Sequence, residues 1–236
     1  MNNTIEVINK DELLHISNLK NTKLDKLYAI GTNTTSNPYC IIKNKPDSKV
    51  KINKYDKSEN INLNNYVKIC KHYKATKFAL WSKRKDIIKA YFDKHKKPKN
   101  LILIYSNDTI NKPIEKPFGY FDKVFNAVSK DKFIDKQNCT GQKCIDCLKC
   151  YNFSKSLKNN IIYEAVKGKK LDNGSICKAC YSHKAINYRH HTMKSPLEKN
   201  SRLLKKPLSK LQIQALNLLQ FYFRFNHHGE ILDNEQ

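Results

Sequence analysis

The chain has 236 residues, 28% of them charged and 39% hydrophobic, enough for one large domain or two small ones around a buried core. No run approaches the ~18 apolar residues of a membrane span, and with six glycines there is no P-loop or dinucleotide glycine fingerprint. The formal net charge of +24 has two readings: an anionic partner such as nucleic acid, or the lysine-, asparagine- and isoleucine-rich composition that AT-rich coding produces.

The opening Met-Asn-Asn-Thr-Ile-Glu lacks the basic start and apolar core of a signal peptide, so a cytoplasmic chain with reduced thiols is expected. Leu24, Leu27, Tyr28 and Ile30 form a first apolar cluster, and the loop Gly31 to Pro38 delivers Tyr39-Cys40. Residues 43–62, rich in Lys and Asn, read as a linker. Asn64 is placed to cap a helix carrying Tyr66, Val67, Cys70 and Tyr73, with Cys70 on its apolar face. Lys77 to Ser82 predicts a buried strand, and Asp86 to His95 an amphipathic helix stopped by Pro98. Leu101 to Ser106 is an apolar run of the length of a strand buried on both faces, and Phe121 to Val128 is a third strand.

Asn160 to Val166 fits a short helix or an edge strand. Helices are expected around Pro196 to Leu204 and over Leu208 to Leu219, then a strand at Phe221 to Phe225. The strand–helix–strand rhythm predicts an α/β fold of parallel strands with helices, an incomplete or TIM-like barrel carrying a Cys-rich loop. The segments are 1–42, the linker 43–62, a half at 63–167 and a second half of the same domain at 168–236. Function in such sheets collects at the carboxyl ends of the strands. That singles out Lys83 and Arg84, then Ser106 and Asn107, then Arg224, Asn226 and Glu230.

Cys139, Cys144, Cys147 and Cys150 lie within twelve residues. Two consecutive two-residue gaps turn successive sulfurs toward one centre, as in ferredoxin-type [4Fe–4S] loops. A closed four-cysteine zinc site is the alternative. Cys177 and Cys180 form a pair that cannot close a tetrahedral site, and Cys40 is the natural third ligand. Three thiolates would leave one iron of a second cluster open. His190-His191 and His227-His228 read as surface or supporting groups rather than ligands.

Ser175 to Ser182, Phe223 to Glu230, Phe78 to Arg84, Lys97 to Ser106, Cys139 to Cys150 and Tyr28 to Cys40 together resemble the phage protein family called gene product 88. The resemblance covers most of the chain outside 43–60. It implies an iron–sulfur, radical-SAM-like protein of uncharacterised activity, with S-adenosylmethionine as co-substrate held near Ser106 and Asn107. If the chain is an enzyme, Glu230, Arg224, Asn226, Lys83 and Arg84 are the expected reactive groups, by their position at the strand ends. The order differs from the family's: residues 63–167 here precede 168–236. A transposition of segments is expected to leave the chain's end beside Asn62–Leu63. The alternative function is a zinc-stabilised basic module that binds nucleic acid without catalysis.

Overall fold

The computed structural model describes residues 8–18, 20, 22–44, 55–152, 160–166, 174–188 and 190–234. In chain order the elements are β1 (Ser17–Asn18), β2 (Tyr28–Ile30), α1 (Pro38–Asn44), α2 (Ile61–His72), β3 (Lys77–Ser82), α3 (Lys85–Lys94), β4 (Leu101–Ser106) and β5 (Lys123–Val128). Then follow α4 (Cys144–Cys147), β6 (Ile161–Ala165), α5 (Tyr181–Tyr188), α6 (Ser195–Leu204), α7 (Lys210–Gln214) and β7 (Tyr222–Phe225).

The strands form one sheet in the order β1-β2-β7-β3-β4-β5-β6. Only β1 runs antiparallel to its neighbour; the remaining pairs are parallel. Phe78 stands between Phe223 and Leu101, so the last strand in sequence lies inside the sheet, beside β3. The apolar runs of β3 and β4 are buried on both faces, as continuous hydrophobic strands of a parallel sheet must be.

The two faces differ in what covers them. Ile30, Phe78, Leu80, Leu101, Leu103, Val124, Phe223 and Phe225 pack against the apolar sides of α2, α3, α6 and α7 in the main core. That core draws on residues from 14 to 232, so the two halves of the chain share it. Alternate residues Ala79, Trp81, Ile102, Ile104, Phe125 and Tyr222 face a second layer made of Leu24, Leu27 and the cysteine loop.

The expectation of parallel α/β architecture holds, but the sheet does not close into a TIM-like barrel. A closed barrel needs eight parallel strands; six are present among the described residues, and β1 and β6 end the sheet. Segment 160–166 resolves to the strand β6 rather than a helix, because parallel pairing to β5 satisfies its backbone. The helix expected over 208–219 is only α7, opened by a capping box between Ser209 and Gln212.

Part of the expected linker is docked. Residues 57–59 form a 3-10 turn after Asp56, whose carboxylate accepts from the Ser58 amide at 2.9 Å. Asn60, not Asn64, caps α2: its Oδ1 accepts from the Leu63 amide at 2.8 Å, and its Nδ2 donates to the Leu232 carbonyl at 2.8 Å. The Ile61 amide donates to Asn234 Oδ1 at 2.9 Å, and the Leu232 amide to Asn62 Oδ1 at 3.1 Å. Residues 232–234 therefore lie against the start of α2; Gln236 falls outside the described residues.

Candidate functional site

The carboxyl ends of β3, β4 and β7 converge on Glu230. Ser82 Oγ and the Lys83 amide donate to its carboxylate at 2.7 Å each, and the Ile231 amide donates at 2.8 Å. A buried carboxylate held by three donors is a fixed negative point, 4% exposed. Gly229 makes the approach: at φ +76 it brings the turn so close to Thr32 that a Cβ would lie 2.0 Å from Oγ1.

Lys83 leaves the end of β3 and donates through Nζ to Ser106 Oγ at the end of β4, 3.0 Å away. Burial disfavours its ammonium, yet Cys177, Glu230, Cys180 and Cys40 together outweigh that and raise its pKa. These three cysteines come from distant parts of the chain. Asn37 organises the first: its Oδ1 accepts from the Tyr39 amide at 3.0 Å, and its Nδ2 donates to the Glu230 carbonyl at 3.1 Å. That starts α1 beside Glu230 and brings Cys40 to the strand ends.

Cys177 arrives by backbone pairing. The Ile176 amide donates to the Asp108 carbonyl at 2.7 Å, and the Ile110 amide to the Gly174 carbonyl at 3.0 Å. The segment carrying Cys177 and Cys180 is thus laced to the loop after β4. Burial, then Glu230 and Cys180, hold the Cys40 thiol well above its ordinary pKa, while Lys83 opposes them. Burial likewise raises Cys177, again with Lys83 opposing. Cys40 of α1 thus lies in one neighbourhood with Cys177 and Cys180, beside Lys83.

Several strand-end candidates are held by partners within the protein. Arg84 pairs with Asp86 at 3.0 Å and with Asp233 at 2.8 Å, its side chain 2% exposed, under the Tyr39 ring. Its charge is fully engaged within the protein. Asn226, at φ +56, accepts from the Tyr66 hydroxyl at 3.0 Å and donates to the Trp81 carbonyl at 3.2 Å. Asn107 donates to the Lys112 carbonyl and to Asn126 Oδ1, at 2.9 and 3.0 Å, which fixes the loop after β4 rather than facing Lys83. His227 and His228 are buried and pack edge to face, rather than lying on the surface. The side chains of His190 and His191 lie outside the described residues.

Arg224 is on the other face of the sheet. Phe223 and Phe225 turn into the helical layer, so alternation sends Arg224 the opposite way, with its guanidinium 3.9 Å from the centre of the Trp81 ring. There it meets the cysteine loop. Cys139 pairs alongside Glu164 of β6, its amide donating to the Tyr163 carbonyl at 3.0 Å. The Cys144 amide donates to the Lys23 carbonyl at 2.7 Å and opens the short helix α4. Leu148, at φ +50, ends that helix and turns the chain toward Cys150. Lys23 pairs with Glu164, which ties the loop's two anchors together.

The four loop thiols act on one another electrostatically, so they share one neighbourhood. Burial, with Glu164 next, pushes Cys139 up to about 11; burial pushes Cys150 up to about 12 against the opposing charge of Arg224. None of the four is in a disulfide. Among the described residues, no group of three or more Cys, His, Asp or Glu side chains is set to hold a metal ion. In kind, the sulfur donors of either cysteine group suit a thiophilic centre, with cations alongside and one carboxylate near each: Glu164 beside Cys139 and Glu230 beside Cys40. Sequence reasoning missed Asn37, Tyr39 and Lys123; a lysine inside the buried run of β5 was the one available signal.

The fold and site define an open, mostly parallel α/β protein with separate thiol groups at the strand ends and on one sheet face. Compared with known protein families, curated proteins and solved structures, the chain matches none. Among the described residues, no helix is long and apolar enough to cross a membrane.

Proposed function

We propose that the chain is an iron–sulfur protein of the phage type. In this reading Cys139, Cys144, Cys147 and Cys150 hold one [4Fe–4S] cluster, and Cys40, Cys177 and Cys180 hold a second with one iron open. The observation that carries the proposal is that α1, which bears Cys40, packs against the segment bearing Cys177 at the carboxyl edge of the sheet, beside Lys83. A cluster's ligands bind separate irons, so they ring the cluster rather than converge on one point, in contrast to the closed tetrahedron of a structural zinc site.

The open iron would supply coordination and one-electron chemistry to a co-substrate, for which S-adenosylmethionine is the proposed candidate. Lys83 is the cation facing that position, and Glu230 holds the Lys83 backbone in place. Ser106 orients the Lys83 ammonium. The strand order supports kinship with the gene product 88 family in transposed order. With residues 168–236 set ahead of 63–167, the six parallel strands would be sequential neighbours.

Anaerobic purification tests the reading. The expected product is brown, with roughly eight iron atoms per chain and matching sulfide. Iron should fall by about half in Cys144→Ala/Cys147→Ala and by about half in Cys177→Ala/Cys180→Ala. A colourless protein with stoichiometric zinc, and a nucleic-acid affinity that drops steeply with salt, would overturn it in favour of a zinc-stabilised basic module.

A further inference from the structure

Three buried polar groups on the cysteine-loop face have no hydrogen-bond partner among the described residues: Lys123 Nζ, Tyr151 Oη and Arg224 Nε. Lys123 and Tyr151 are both fully buried. All three are donors. Native proteins pair such groups almost without exception, and a buried unpaired ammonium is among the costliest arrangements a core can hold.

They are gathered at one place. Lys123 shares the strand face of Phe125, which belongs to the layer under the cysteine loop. Burial disfavours its ammonium, while Cys150 and then Asp122 favour it. Asp122, the adjacent carboxylate, gives it no hydrogen bond: Lys97 donates to that group at 2.7 Å and the Leu103 amide at 2.8 Å. Tyr151 follows Cys150 directly and packs edge-on to Trp81, the ring that carries Arg224. Cys144 and Cys150 both feel the Arg224 charge. Lys23, the other cation nearby, is already matched by Glu164.

We propose that Lys123, Tyr151 and Arg224 form a donor cage for an electron-rich, acceptor-only centre held by Cys139, Cys144, Cys147 and Cys150. The cage hydrogen-bonds the sulfurs of that centre and balances its negative charge. This rests on the iron–sulfur reading and adds a role to it: the cage sets the centre's reduction potential. Donors and positive charge favour the reduced, more negative state, so the cage holds the potential up.

The test uses the anaerobically reconstituted full chain, with the clusters distinguished by comparison with Cys177→Ala/Cys180→Ala. Midpoint potentials are read by spectroelectrochemistry and electron paramagnetic resonance. Lys123→Met and Tyr151→Phe should each lower the potential of the four-cysteine cluster, with iron and sulfide content unchanged. In metal-free protein Lys123→Met should raise the melting temperature, since it removes an uncompensated buried charge. An intact cluster whose potential is unmoved in both variants overturns the cage while leaving the iron–sulfur reading standing. A wild-type chain that takes up neither iron nor sulfide overturns both. A metal-free Lys123→Met protein that melts lower than wild type shows the ammonium to be satisfied already and also overturns the cage.

Discussion

His227 shows how one residue's position sets a property of the whole protein. It is 4% exposed, with Nδ1 unpartnered, and Gly31 is present because a Cβ there would lie 2.6 Å from the imidazole. Burial, then His228, Arg224 and His15, all hold its pKa well below the ordinary 6.5. The unfolded chain therefore binds the proton more readily than the folded one. Stability attached to this group is complete above pH 6.5 and is lost as pH falls toward the folded value. The expected limiting slope is about 1.4 kcal/mol per pH unit. In urea titrations from pH 7.5 to 5, the stability difference between wild type and His227→Gln should shift toward the variant as pH falls. A difference independent of pH would refute this assignment.

At the scale of elements, local sequence named most of the pieces and misplaced some ends. The apolar runs at 77–82 and 101–106 coincide with β3 and β4, since a strand buried on both faces leaves an unbroken hydrophobic signature. The sequence misplaces the start of α2: it reads Asn64 as the cap and Asn60 as part of the linker. The structure gives Asn60 the cap and turns Asn64 to accept from the Tyr91 hydroxyl at 2.9 Å. Asn60→Ala should therefore cost about 2 kcal/mol, at the top of the range for a cap, because contacts to Leu232 and Tyr55 go with it. Asn64→Ala should cost less than Asn60→Ala by chemical denaturation; the reverse ranking would return the cap to Asn64.

The whole molecule poses the question of segment order. β7 is last in sequence yet lies between β2 and β3, and residues 232–234 bond to residues 59–62. A chain rebuilt as 1–44, 174–234, 55–166, with short Gly/Ser joints after residues 44 and 234, should reach the same fold because it keeps the sheet pairings, the shared core and the Asn60 cap. Its expected signature is a cooperative thermal transition within a few degrees of the parent and the same far-ultraviolet dichroism. A rebuilt chain that stays unfolded would show that the present order is required.

Charge and the lysine runs left the partner open at this scale, because they carry no geometry. That the four loop cysteines are neighbours was legible, since they lie within twelve residues of one another. Helix and strand content was legible too, because periodicity is a property of neighbours in sequence. Three matters depended on the tertiary structure. Cys40 meets Cys177 and Cys180 only because Asn37 and the loop after β4 bring remote backbone to one edge. Arg224 and Arg84 share a residue type and a predicted role, yet one faces the cysteine loop and the other is neutralised by Asp86 and Asp233. Lys123 reads in the sequence as one more lysine among many. Its burial without a partner beside Cys150 exists only after the sheet has formed, because the cost of an unpaired charge depends on what surrounds it in space.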